Sequence, residues 1–223
     1  MTPRVTVDMA DIPGGGGQLR LIRRGAEFSI MLGANELMNS RLSGSEEALA
    51  ALSCGPVTGR IGARVLIGGL GMGFTLRAAL DVLGADAEVV VAELVPAVVA
   101  WARGPLAEVF AGSMDDPRVS IVEDDVRRPI GEGAAAFDAI MLDVDNGPDG
   151  LTRGSNDRLY DAAGLSAAWR ALRPGGNLAV WSSAPDPRFT RRLQDAGFAV
   201  VEVAVKARGS RGARHVIWVA TRD

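Results

Sequence analysis

From Arg64 onward the chain alternates short apolar runs with longer stretches of helical spacing, the sequence signature of βαβ units that build a parallel sheet. Arg64-Val-Leu-Ile-Gly68 reads as a buried strand, followed by glycines and a helix from Phe74 to Leu83. Ala87 to Ala92 is a second strand ending at Glu93, and Pro96 stands where the first turn of a helix tolerates proline. Val119 to Val122 is a third, running into Glu123-Asp124-Asp125, and Phe137 to Leu142 is a fourth, ending at Asp143. A helix is predicted from about Asn156 to Leu172, stopped by Arg173-Pro174-Gly175-Gly176. Asn177 to Trp181 is the fifth strand, and Pro187 to Ala196 a helix closed by Gly197. The last two runs, Ala199 to Val205 and His215 to Ala220, leave no room for a helix between them and must pair antiparallel. The expected fold class is therefore α/β: a Rossmann-like doubly wound seven-stranded sheet, mostly parallel with an antiparallel C-terminal hairpin, plus a small N-terminal β element.

That N-terminal element occupies residues 1–60. Gly14 to Gly17 form a turn flanked by runs at Arg4–Val7, Gln18–Ile22 and Glu27–Leu32 that suit a small antiparallel sheet. Ser45-Glu-Glu-Ala-Leu-Ala-Ala-Leu52 reads as a linker helix with Ser45 as its N-cap. At 223 residues the chain suits one principal core. With 48% hydrophobic and 23% charged residues, intrinsic disorder is excluded. Twenty-four basic against 27 acidic residues leave a formal charge of -3, without the positive field of a nucleic-acid binder. The basic residues between Lys206 and Arg214 read as a solvated turn. A lone cysteine, Cys54, forms no internal disulfide and reads as a packing residue. One cysteine and one histidine, His215, exclude His- and Cys-rich metal sites, and no metal is expected. There is no basic segment followed by an apolar one at the start, and the apolar stretches are interrupted by Glu93 and Arg103, so no membrane contact and a cytoplasmic location are expected.

In a doubly wound sheet, ligands bind beyond the carboxyl ends of the strands, where Glu93, Asp125 and Asp143 all fall. The turn Gly69-Leu-Gly-Met-Gly73 lets a ligand approach the backbone closely and opens a helix N-terminus. Its spacing is G-x-G-x-G, not the dinucleotide pattern G-x-G-x-x-G, which disfavours a nicotinamide-dependent oxidoreductase. Glu93 follows the glycines by about twenty residues, where an acid typically grips two ribose hydroxyls. The pattern describes an adenosine site. The candidate cofactor-binding residues are Gly69, Gly71, Met72, Gly73, Glu93, Leu94, Asp125 and Val126, and Asp143 is the catalytic candidate. On the acceptor side the candidates are Asp145, Asn146 and Tyr160, although Asp145 and Asn146 also suit a turn with Gly147-Pro148, and Tyr160 suits a core. Trp181 carries the same two readings, and His215, at the start of a strand, reads as structural.

Several segments together resemble the spermidine synthase-like branch of the class I S-adenosylmethionine-dependent methyltransferase superfamily. They are Val65-Leu-Ile-Gly-Gly-Leu-Gly-Met-Gly-Phe-Thr-Leu-Arg77, Val91-Ala-Glu93, Glu123-Asp-Asp125, Phe137-Asp-Ala-Ile-Met-Leu-Asp143, Leu159-Tyr160 and Leu172-Arg-Pro-Gly-Gly176. More loosely, Met31 to Arg41 and Ser45 to Leu49 resemble the linker before the synthase core. The resemblance makes residues 61–223 an S-adenosylmethionine-binding domain, with Glu93 on the ribose, Asp125 on the adenine amino group and Asp143 at the reactive end. Three departures accompany it. The aspartate that aminopropyltransferases carry in the glycine loop is Met72 here. Their Asp-Ser/Thr-Ser/Thr-Asp-Pro segment reads Asp143-Val144-Asp145-Asn146-Gly147, and their Tyr-His/Gln-Glu segment reads Ser45-Glu46-Glu47. The expectation is a transferase binding S-adenosylmethionine or its decarboxylated form and methylating a small nucleophile, an amine among the candidates, with Asp143 taking the proton. Aminopropyl transfer from decarboxylated S-adenosylmethionine is the alternative, and a non-catalytic adenosyl-ligand-binding protein the second. No nucleic-acid partner is expected, and a homodimer is.

Overall fold

The computed structural model describes residues 2–144, 157–208 and 211–223. Strands β1 (Val5–Asp11), β2 (Gln18–Arg24), β3 (Glu27–Leu32) and β4 (Asn35–Asn39) form an antiparallel meander in chain order. The fourth strand lies within the segment read from sequence as linker. It escapes a pattern reading because Asn35 and Glu36 face solvent, and only the sharp turn at Gly33, with φ of 58°, marks the reversal. Helix α1 (Gly44–Cys54) follows. Ser45 is not its cap: Ser43 holds that position, and the Ser45 hydroxyl donates to Glu46 Oε2 at 2.6 Å.

The main sheet is built from β5 (Arg64–Gly68), α2 (Phe74–Val82), β6 (Glu88–Ala92), α3 (Pro96–Arg103), α4 (Ala107–Phe110), β7 (Val119–Val122), α5 (Arg127–Glu132) and β8 (Phe137–Leu142). It is completed by α6 (Asp157–Tyr160), α7 (Ala162–Ala171), β9 (Leu172–Ser182), α8 (Pro187–Asp195), β10 (Ala199–Arg208) and β11 (Arg211–Thr221). The seven strands lie in the order β10-β11-β9-β8-β5-β6-β7. Strands β5 to β9 run parallel, and β11 returns antiparallel against both β9 and β10, as the missing crossover required. Two boundaries differ from the sequence reading. The helix expected from Asn156 is split because Asp161 caps α7, its carboxylate accepting from Gly164 N at 2.8 Å. The Pro174-Gly175-Gly176 stop lies inside β9, which begins at Leu172 opposite Phe137 and absorbs these residues in a register shift.

Alternation within the central strands divides the core into two faces. Val65, Ile67, Val89, Val91 and Met141 pack under α1, α2 and α3, together with Leu19, Leu21 and Ile30 from the N-terminal sheet. Leu66, Val90, Ile140, Leu142 and Trp218 pack on the other face, under α5, α7 and α8. Each such side chain contributes about 1.5–3 kcal/mol on burial. The N-terminal sheet is thus fastened over one face, and Trp101 Nε1 donates to Asp8 Oδ2 at 2.7 Å to hold β1 on α3. Polar ties are fully paired at the amino end of β8. There Asp138, 1% exposed, accepts from Arg60 Nη1 and Arg173 Nη1, each at 2.7 Å, and from Arg64 N at 2.8 Å. Cys54 is buried, and burial pushes its thiol up to about 12. Among the described residues no helix is long and apolar enough to cross a membrane, and no group of three metal-ligating side chains converges.

Candidate functional site

The sheet order reverses between β5 and β8, and the glycine turn leaves β5 at that point. Gly69 has φ of 91°, and a Cβ there would lie 2.5 Å from the Asp143 carbonyl oxygen. Gly73, with φ of 76°, opens α2 where a Cβ would lie 2.4 Å from the Phe110 ring. Only glycine fits either place. Glu93, 8% exposed at the end of β6, fastens the turn from the side: Oε2 accepts from Leu70 N and Oε1 from Val95 N, both at 2.9 Å. Desolvation raises its pKa even though these backbone N–H groups favour the charged form.

Beyond the strand ends lies a crevice of about 790 Å³. Gly69, Gly71, Glu93, Leu94, Asp125 and Val126 line it, so most of the expected nucleoside-binding set is brought together. Burial acts to raise the Asp125 pKa, but Arg127 outweighs it and holds the carboxyl below its usual range, with Arg127 Nη2 2.6 Å and Nε 2.9 Å from Oδ2. Asp125 is therefore an anion with one oxygen committed to a guanidinium. The crevice is roofed by the turn between β1 and β2, Ile12 to Gly16, and by Leu32 of β3. Sequence reasoning saw only flexibility in those glycines.

A second cavity of about 220 Å³ adjoins the first, sharing Leu37, Met38, Gly71 and Asp143 with it. Met72 lines this smaller space and not the crevice. Asp143 is held by its backbone N–H on Gly68 O at 3.0 Å, and its Oδ2 accepts from the Thr75 hydroxyl at 2.8 Å. Burial first, and then the charge of Glu46, push its pKa up to about 7. Glu46, from the first turn of α1, lines the same cavity, and desolvation raises its pKa as well. Trp181 and His215 form another wall, with ring centroids 4.7 Å apart and an edge-on arrangement.

Tyr160 is not among the residues lining either cavity. It is 1% exposed in the core, edge-on to Phe189 at 5.5 Å, because α6 turns it beneath α8. Asp145 and Asn146 lie outside the described residues. Glu46 and His215 line the smaller cavity, although the sequence reading gave Glu46 only as part of a departure from the family's pattern and took His215 as structural. The Ser-Glu-Glu departure was the available signal for the first, and the solitary histidine for the second.

No family model matches the chain. A polyamine aminopropyltransferase of Mycobacterium tuberculosis (strain CDC 1551 / Oshkosh) is 38% identical over 149 residues, covering 62% of this chain and 28% of that protein. The chain thus spans less than a third of the length of the curated relatives it matches. Spermidine synthase from Thermotoga maritima superposes with a TM-score of 0.73 at 18% identity, over 98% of this chain and 73% of that one. The fold is spermidine synthase-like. A Burkholderia thailandensis 1,6-didemethyltoxoflavin-N1-methyltransferase, solved with S-adenosylhomocysteine, superposes more loosely, with a TM-score of 0.56 at 21% identity over 81% of this chain and 79% of that one. The spermidine synthase-like fold accounts for the sheet order, the terminal hairpin and the small leading sheet alike.

Proposed function

We propose that the chain transfers an aminopropyl group from decarboxylated S-adenosylmethionine to a small amine. The observation that carries this reading is the pairing of Glu46 with Asp143 in a cavity whose described lining includes no arginine or lysine. A donor tail that ends in an ammonium suits such a space, whereas one that also carries a carboxylate meets two acids and no cation. The name of the Mycobacterium relative supports the same choice. Methyl transfer from S-adenosylmethionine is the second reading, and Met72 favours it by leaving the glycine turn without a charge.

In this reading the crevice holds the nucleoside, with Glu93 on the ribose and Asp125 toward the adenine, while the turn backbone lies beneath the sulfonium. Glu46 receives the donor's ammonium, replacing the charge that Met72 lacks. Asp143, where the two cavities join, receives the attacking amine. The amine nitrogen forms its bond to carbon as the carbon–sulfur bond breaks with its pair going to sulfur, which leaves neutral methylthioadenosine. The proton released from nitrogen passes to Asp143, whose pKa of about 7 suits a base at neutral pH. The chain's main contribution is to hold both reactants in line. Exposed Val5 and Met9 on the edge strand β1 support a homodimer through the N-terminal sheet, and the single buried thiol suits a cytoplasmic enzyme.

Calorimetric titration with decarboxylated S-adenosylmethionine, methylthioadenosine, S-adenosylmethionine and S-adenosylhomocysteine tests the reading. Tighter binding of the first two is expected. Tighter binding of the carboxylate-bearing pair would turn the assignment to methyl transfer, and no binding by any would reduce the chain to a fold without this chemistry.

A further inference from the structure

Asp125 and Arg127 line the crevice as one fastened unit. Val126 between them is buried in the core, and its Cγ2 lies 2.9 Å from where a Cβ on Gly68 would stand, so the segment is anchored against the last residue of β5 before the glycine turn. Asp125 Oδ2 accepts from Arg127 Nη2 at 2.6 Å and from Nε at 2.9 Å, while Oδ1 accepts from Arg127 N at 2.9 Å. A carboxylate offers about four acceptor positions, two on each oxygen. The guanidinium fork fills both on Oδ2 and the backbone N–H fills one on Oδ1, so among the described residues Oδ1 keeps one open. The fork also does two things that a lone carboxylate at a strand end would lack. It fixes the rotation of the carboxyl group by two bonds to one planar cation, and it offsets the burial that would otherwise favour the protonated, hydrogen-donating form.

We propose that Arg127 is a positioning residue for the nucleoside: it holds Asp125 as an oriented, acceptor-only group whose open Oδ1 position takes an exocyclic N–H, so that the crevice selects a 6-aminopurine over a 6-oxopurine. A 6-oxopurine turns an acceptor oxygen toward the same place and carries its N–H one ring position further on. A fixed anion meets that oxygen lone pair to lone pair. A carboxyl group without the fork rotates to the displaced N–H, or takes a proton and donates to the oxygen, and so tolerates either base. The neighbouring Arg128 has no part in this, because its guanidinium pairs with Asp124 and Glu132. The inference rests on the nucleoside reading of the crevice and is independent of whether an aminopropyl or a methyl group is transferred.

Calorimetric titration of the parent, Arg127→Met, Arg127→Lys and Arg128→Met with methylthioadenosine and 5′-methylthioinosine tests the proposal. The parent is expected to bind methylthioadenosine about 30-fold or more tighter than methylthioinosine, the scale of a lost hydrogen bond to a charged group. In Arg127→Met the ratio is expected to fall to about 5-fold or less. Arg127→Lys keeps the charge without the fork and is expected to give an intermediate ratio, which decides the matter should Arg127→Met fail to fold. Arg128→Met is expected to keep the parent's ratio. Equal weakening of both nucleosides in the Arg127 variants, with the ratio as in the parent, would give Arg127 a structural role alone and overturn the proposal, as would a parent that binds both nucleosides alike. Either result leaves the nucleoside reading standing. A parent that binds neither nucleoside would remove that reading itself and the proposal with it.

Discussion

Glu46 on α1 and Asp143 at the end of β8 share one cavity, and the charge of the first reinforces burial in holding the second at about 7. The Thr75 hydroxyl occupies Asp143 Oδ2, which leaves Oδ1 to take a proton. Replacing Asp143 by asparagine keeps the shape and removes the base. Turnover with decarboxylated S-adenosylmethionine and a responsive amine is expected to fall by ~100-fold or more, with methylthioadenosine affinity changed by less than about 3-fold. A variant that turns over at the parent rate would remove Asp143 from the chemistry.

The same pair gives stability and turnover opposite slopes with pH. Asp143 titrates near 7 in the folded chain against an ordinary 3.8, so the folded state binds its proton more tightly than the unfolded one. The stability this contributes is present below the unfolded value and lost as pH rises through the folded one. Glu46 and Glu93 are shifted in the same direction, while His215, shifted down, opposes them at pH below its ordinary value. The Tm of the ligand-free protein is therefore expected to fall between about pH 5 and pH 8, and the fall to be smaller in Asp143→Asn. Turnover should rise over the same window as Asp143 ionises. Glu46→Gln removes the like charge and should move the turnover midpoint lower.

Glu93 carries two duties, fastening the glycine turn and facing the crevice. Glutamine retains one oxygen, so either Leu70 N or Val95 N loses its acceptor and meets an amide N–H₂ instead. Methylthioadenosine affinity of Glu93→Gln is expected to drop by about 10-fold or more, the usual scale for a hydrogen bond to a charged group. Calorimetry at pH 7 reads it, and unchanged affinity would confine Glu93 to the turn.

The strand-by-strand alternation made the main sheet readable because each central strand is buried on both sides and helices such as α2 and α3 carry an apolar stripe. Glu93, Asp125 and Asp143 were readable for a related reason: chain order alone places them at carboxyl ends. What did not show is whatever depends on how separate elements meet. Whether Glu46 or Glu47 turns inward depends on where α1 begins, and it begins at Gly44, with Ser43 and not the better-looking Ser45 at the N-cap position. The glycines at positions 14 to 16 become a roof only once β1 is docked on α3 by contacts such as Asp8 with Trp101. Tyr160 had the chemistry of a pocket residue, but the turn at Asp161 directs it into the core.

Asp138 and Asp143 stand at opposite ends of β8, and they should separate folding from binding. Asp138 is the buried partner of two guanidiniums that are 34% and 41% exposed, and it also receives the Arg64 amide. Removing it in Asp138→Ala leaves those donors short of a partner but lets both arginines reach water, so the loss should stand near the lower end of the range for a broken buried pair, about 3 kcal/mol. Urea unfolding checks this, and methylthioadenosine affinity measured well below the unfolding midpoint should be unchanged. If Asp138→Ala weakened binding while leaving stability intact, the strand would be transmitting a change from its amino end to the crevice, and the two aspartates could not be treated as independent.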